Sequence, residues 1–202
     1  GKGNGALLQQ LGERTPAMQL RPLQQVMVKL DNSHRFYGHC LGTDKTPKLT
    51  ISSHPCKDGK WVWYLGGSLA EKGVDLSAAE LIAKAQHELQ TLMPWLDLSG
   101  AQWATLPVDR AEPKQKKLVR PDKAFIGSAP GCSNLAVAWP TKLTLAPNLA
   151  NEALGLLQHQ NIQPQGSTAD LSVLSALPQA GIAPAPWDNT ELFTSPSASK
   201  LQ

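Results

Sequence analysis

Short segments of alternating apolar and polar residues, one strongly capped helix among them and helical patterns at both flanks predict an α+β protein. Strand and helix do not alternate regularly, as a parallel sheet would require, so the sheet is expected to be largely antiparallel with flanking helices. At 202 residues the chain is long enough for one large or two small cores.

The elements follow in order. A glycine turn at residues 1–5 leads into a short helix at 6–11, stopped by Gly12. Residues 23–30 alternate, with Val26, Val28 and Leu30 on one face, and 36–41 form a second strand candidate. Segments 49–53 and 61–67 flank Asp58-Gly59, a hairpin signal because this pair accepts positive φ. Ser77 and Glu80 have capping-box spacing ahead of Ala78, Leu81, Ile82, Ala85, Leu89 and Leu92, which share one helical face, and Pro94 ends the helix. Strands are predicted at 102–108, 123–128 and 134–139, the last two joined at Pro130-Gly131, with a polar loop running to about residue 122. A second helix follows, with Ala146, Leu149, Ala150, Ala153, Leu154 and Leu157 as its apolar stripe and Pro147 in its first turn. From residue 163 Pro, Ser, Ala and Gln dominate, so a tail is expected, ordered only where Leu171, Leu174, Leu177, Ile182 and Trp187 find grooves. Residues 195–202 are expected to be mobile.

Composition narrows the function. Nineteen Lys and Arg against 16 Asp and Glu give a net charge of only +3, and the basic residues are scattered, which argues against nucleic acid. The one basic run, Lys114 to Lys117, reads as a solvated loop. The three cysteines, Cys40, Cys56 and Cys132, have no paired spacing, which suits free thiols in a reducing, cytoplasmic setting. No metal-ligand spacing is present, and no apolar run approaches the roughly 20 residues of a membrane-spanning helix. Six tryptophans exceed the three phenylalanines and two tyrosines; Trp61 and Trp63 share a strand face and suggest an aromatic wall.

The strand, turn and helix running from Asn134 through Trp139, Thr141, Lys142, Leu143 and Thr144 to Leu157 aim backbone N–H groups, with the positive end of the helix dipole behind them, at a seat for an electron-rich group. This segment resembles the element that closes the flavin site in FAD-dependent oxidoreductases of the D-amino-acid-oxidase-like (DAO) family. In order along the chain, residues 1 to about 158 resemble the C-terminal half of that family. The resemblance implies a flavin-domain remnant at 1–19, a substrate or cap domain at 20–110, a return to FAD-binding α/β elements at 111–160 and an extended tail at 161–202. It implies an oxidoreductase that passes a hydride from a small amine- or hydroxy-bearing substrate to FAD.

The chain departs from the family by lacking the βαβ unit with Gly-x-Gly-x-x-Gly, whose glycines let backbone approach the pyrophosphate. The resemblance therefore implies a C-terminal portion whose partner is a missing N-terminal FAD-binding half, with FAD bound weakly or not at all by this chain alone. An exposed apolar patch at Ala6, Leu7, Leu8 and the 141–157 helix, prone to self-association, would follow.

For the cofactor, the resemblance assigns Gly1 and Gly3 to a glycine turn of the flavin domain and Thr141, Lys142, Leu143 and Thr144 to the flavin edge. There, backbone N–H groups and the Lys142 ammonium would stabilise the reduced ring. The alternative is an ordinary capped helix start with an exposed lysine. Many relatives carry Trp-x-Gly-x-Arg-Pro, in which the arginine clamps a carboxylate; here Pro107 holds the arginine position and Arg110 stands three residues on. A salt bridge to Asp109, Glu112 or Asp122 is the other reading of Arg110. His39 and His54 are candidates for the substrate cavity, or are histidines satisfied by backbone. No catalytic residue is assigned, since flavin-linked oxidation of amines or alcohols needs no strong protein base. The rival function is a non-catalytic ligand-binding or interaction domain, or one subunit of a split flavoenzyme.

Overall fold

The computed structural model describes residues 1–31, 34–43, 46–117, 121–139, 142–164, 166, 170–179 and 181–194. Its elements are α1 (Lys2–Gln10), β1 (Met18–Lys29), β2 (Gly38–Cys40), β3 (Leu49–Pro55), β4 (Trp61–Gly66), α2 (Ser68–Lys72), α3 (Ala78–Leu92), β5 (Gln102–Pro113), β6 (Phe125–Ala129), β7 (Cys132–Trp139) and α4 (Ala146–His159). A five-stranded sheet runs β2-β3-β4-β1-β5, and β6 and β7 form a separate hairpin. The β1–β4, β2–β3, β3–β4 and β6–β7 pairings are antiparallel, so the α+β class with a largely antiparallel sheet is the observed one. Contacts divide the chain into two units, one of residues 1–21 with 109–182, the other of 22–108 with 183–202.

The unit of 22–108 with 183–202 is built on period-2 alternation. Val26, Val28, Leu49, Ile51, Trp63 and Leu65 point to one sheet face, where they bury against Leu81, Ala85 and Leu89 of α3. The three α3 residues are fully buried, and each of the two leucines contributes about 1.5–3 kcal/mol. Ser77 caps α3 in a complete capping box with Glu80. The β3–β4 turn places Gly59 at φ 80°, as the Asp-Gly pair requires, and Asp58 Oδ1 accepts from the Lys60 N–H at 3.0 Å. Gly67, at φ 79°, is equally constrained, because a Cβ there would lie 2.6 Å from the Pro47 carbonyl oxygen. The opposite sheet face carries Met27, Val62 and Ala104, packed with Cys56, Tyr64, Trp187 and Phe193.

In the unit of 1–21 with 109–182, Leu8, Ala129, Val137 and Trp139 form a small core, with Met18, Ala111 and Phe125 at its edge. In the same unit Glu112, 1% exposed, accepts from Arg21 Nη2 at 3.0 Å and Nε at 3.3 Å and from Gln19 Nε2 at 3.3 Å.

Several expectations change. Residues 2–5 are the first turn of α1 rather than a glycine turn. Strand β1 starts five residues earlier than predicted and passes through Pro22; its register with β4 covers only Val26–Lys29, so the missing Pro22 N–H breaks no bond there. Strand β5 runs five residues further, to Pro113. Helix α2 was not expected. The four tail residues Leu171, Leu174, Leu177 and Ile182 are exposed, Ile182 almost wholly, whereas Trp187 does find a groove. The expectation for residues 195–202 falls outside the described residues.

Candidate functional site

The sequence-predicted cofactor residues fall in one unit. Gly1 is the N-cap of α1 and Gly3 lies inside that helix. The Trp139 indole N–H donates to the Gly1 carbonyl at 3.2 Å, and Asn4 Nδ2 donates to the Ala138 carbonyl at 2.7 Å. These two bonds hold the start of α1 against the last residues of β7, just ahead of the predicted turn. A Cβ on Gly1 would come within 3.1 Å of Ala111 Cβ, so the approach is close. Thr141 lies outside the described residues. Lys142, half-buried and extended, precedes a 3-10 turn at Leu143–Leu145 that leads directly into α4. Leu143 is 91% exposed and Thr144 is exposed as well.

No side chain caps either the 3-10 turn or α4, so the N–H groups of that helix start are not taken up by a capping side chain. One turn into α4, the Asn148 Oδ1 atom is buried without a hydrogen-bond partner among the described residues. An orphaned acceptor beside an uncapped helix start is the one unsatisfied polar cluster of this segment.

Helix α4 buries none of its residues fully. Its half-buried positions are Asn148, Leu149, Ala153 and Leu156, so the stripe is rotated from the predicted one and Leu154 is 57% exposed. Between α4 and the β6–β7 hairpin lies a groove of about 570 Å³, walled by Ile126, Leu135, Ala153, Leu156 and Leu157. Of the predicted apolar patch, Ala6, Leu7, Leu143, Leu154 and Leu157 are exposed, but Leu8 is not: it is buried against Ala129, Val137 and Trp139.

Arg110, also in this unit, is half-buried near the end of β5. Nearby, Asp109 accepts from Lys2 Nζ at 2.7 Å, and Glu112 from Arg21.

His39 and His54 belong to the other unit. His39 pairs with Thr50 across β2–β3 and is exposed. Alternation puts His39, Thr50, Ser52, His54 and Tyr64 on the sheet face away from α3. His54 lies 2.9 Å from Ser52 Oγ, stacks on Trp187 at 4.5 Å between ring centroids and meets the Tyr64 ring edge-on. Burial pushes its imidazole below the ordinary value, favouring the neutral form. Lys29, 4% exposed, emerges on the same face, with Asp58 at 3.7 Å and the Phe193 ring at 4.6 Å. Sequence reasoning missed Lys29; its place in an alternating strand, out of phase with Val26, Val28 and Leu30, was the available signal. Burial also raises the Cys56 thiol next to it, and all three cysteines are free.

A largely antiparallel sheet with one helix-packed face, together with a strand-turn-helix in a second unit, defines an α+β protein. The chain is 48% identical over 189 residues to a probable FAD-dependent oxidoreductase of Pseudomonas aeruginosa. That alignment covers 93% of this chain and 46% of the relative, so the chain spans about half the relative's length. The crystal structure of the FAD dependent oxidoreductase of the same designation superposes with a TM-score of 0.80 at 47% identity, over 93% of this chain and 50% of the solved one. No family model matches the sequence. Among the described residues no helix is long and apolar enough to cross a membrane.

Proposed function

We propose that this chain is the substrate-domain and flavin-closing part of an FAD-dependent oxidoreductase of the DAO type, working with an FAD-binding half that the alignment does not cover. The observation that carries the reading is the 48% identity over nearly the whole chain but under half of the relative. In this reading residues 22–108 are the substrate or cap domain, and residues 1–21 with 109–160 return to the flavin domain.

The residues present fit the pyrimidine edge of a flavin. That edge offers carbonyl oxygens and an N–H; the backbone N–H groups of Leu143 and Thr144, which open the 3-10 turn ahead of α4, supply donors, and Asn148 Oδ1 supplies a buried acceptor without a partner among the described residues. Lys142 adds a positive charge at the same turn. Gly1 serves by close approach, since its bond to Trp139 keeps α1 against β7 and so fixes where the turn begins, and Gly3 follows it in the same first turn of α1. When bound, FAD accepts the hydride. The protein's own work is to hold the small amine- or hydroxy-bearing substrate, exclude water and favour negative charge at the ring's edge. Arg110 is the proposed anchor for an anionic substrate group, and the neutral His54, with His39, Ser52 and Tyr64, the polar lining of the substrate face. Self-association of the isolated chain through the exposed Leu143, Leu154 and Leu157 belongs to the same reading.

The test is Lys142→Met in the flavin-loaded protein. The midpoint potential of the bound flavin should fall, since a positive charge that favours the reduced ring is gone, while the urea midpoint stays within error. An unchanged potential removes Lys142 from the flavin edge.

A further inference from the structure

On the helix-packed side of the five-stranded sheet, away from His39 and His54, the chain after β1 meets the connection from α3 to β5. Between them lies a cavity of about 340 Å³, inside the size range of small-molecule sites. Its walls are aromatic. The Phe36 and Trp63 rings are 5.7 Å apart and tilted, and Trp95, 79% exposed, stands at the same cavity. Trp63 is fixed because its indole N–H donates to the His34 carbonyl at 2.7 Å, and this buried ring forms the floor of the cavity beside Phe36.

Two carboxylates share this lining, Asp31 and Asp97. Asp97 Oδ1 accepts from the Ser99 N–H at 2.9 Å, which holds that carboxyl below its ordinary range and keeps it charged. Asp31 has no hydrogen-bond or ion-pair partner among the described residues. It is seated against Gly100, where an added Cβ would collide with its Oδ2 atom. Aromatic faces attract cations through the ring quadrupole, and carboxylates complete the charge match. Two carboxylates fall short of the six or more oxygen ligands that a hard metal ion would need.

From this combination we infer a second binding site, in which Trp63, Trp95 and Phe36 cradle a small organic ammonium ion and Asp31 and Asp97 neutralise it. The site lies wholly within residues 22–108 and does not depend on the flavin reading.

Tetramethylammonium chloride is titrated into the 202-residue chain at constant ionic strength while the indole N–H resonances of Trp63 and Trp95 are followed. The site predicts saturable shifts at both. Asp31→Asn and the surface change Trp95→Ala should each weaken binding at least fivefold. Gly100→Ala, which displaces Asp31 without altering any charge, should weaken it as well. Unchanged circular dichroism of the Trp95→Ala variant separates lost binding from lost fold. Equal saturation by the neutral isostere tert-butanol, no saturation by the cation, or full binding by Asp31→Asn would each overturn the assignment.

Discussion

Trp139 Nε1 donates to the Gly1 carbonyl at 3.2 Å, while the equally buried Trp103 Nε1 has no partner among the described residues. The two indoles, 0% and 1% exposed, therefore respond differently to the same change. Trp139→Phe removes a made hydrogen bond as well as ring area and should cost about 2–3 kcal/mol. Trp103→Phe removes an unpaired buried donor, so part of its packing loss is offset and the cost should be smaller. Urea unfolding of the two variants measures the order; a larger loss at Trp103 contradicts it.

Glu112, 1% exposed, takes two bonds from Arg21 and one from Gln19. Glu112→Leu takes the carboxylate from a buried guanidinium and should cost about 3–5 kcal/mol. Adding Arg21→Met should restore most of that, since a buried ion pair is roughly replaceable by apolar groups of similar volume. Thermal or urea denaturation of the single and double variants checks both steps, and additive losses would show that the pair is not coupled.

His54 links stability to pH. Burial against Trp187 and Tyr64 lowers its folded value, while the unfolded chain titrates near ~6.5. As pH falls below ~6.5 the unfolded form takes up a proton that the folded form refuses, so stability declines until the folded value is also passed. His54→Gln should flatten that part of the stability profile. A decline of the same steepness in the variant assigns the effect to another group.

Much of the fold could be read from residue types. The Ser77–Glu80 capping box, the Asp58-Gly59 turn and the alternation of Val26, Val28 and Leu30 are local signals, and the structure has each in place. What escaped was decided at a distance. A strand was expected only from residue 23, yet β1 begins at Met18 and passes through Pro22, because the ladder to β4 begins only at Val26. The α4 stripe was rotated because α4 rests on a two-stranded hairpin, where a shallow contact at Ala153 and Leu156 leaves Leu154 in solvent. The strand, turn and helix around Lys142 to Thr144 were legible as a pattern of elements. The Gly1–Trp139 bond spans 138 residues and no local pattern encodes it. Lys29 and Gln19 escaped for a related reason: polar side chains become buried only through partners such as Asp58 and Glu112, far along the chain.

The most direct measurement is flavin content. The 202-residue chain is expressed joined to the dinucleotide-binding half proposed to precede it, and alone, and FAD released from each purified protein is quantified against protein concentration. The joined protein should hold close to one FAD per chain and the separate chain very little. A joined, folded protein without flavin would contradict the proposal that residues 142–144 close a flavin site.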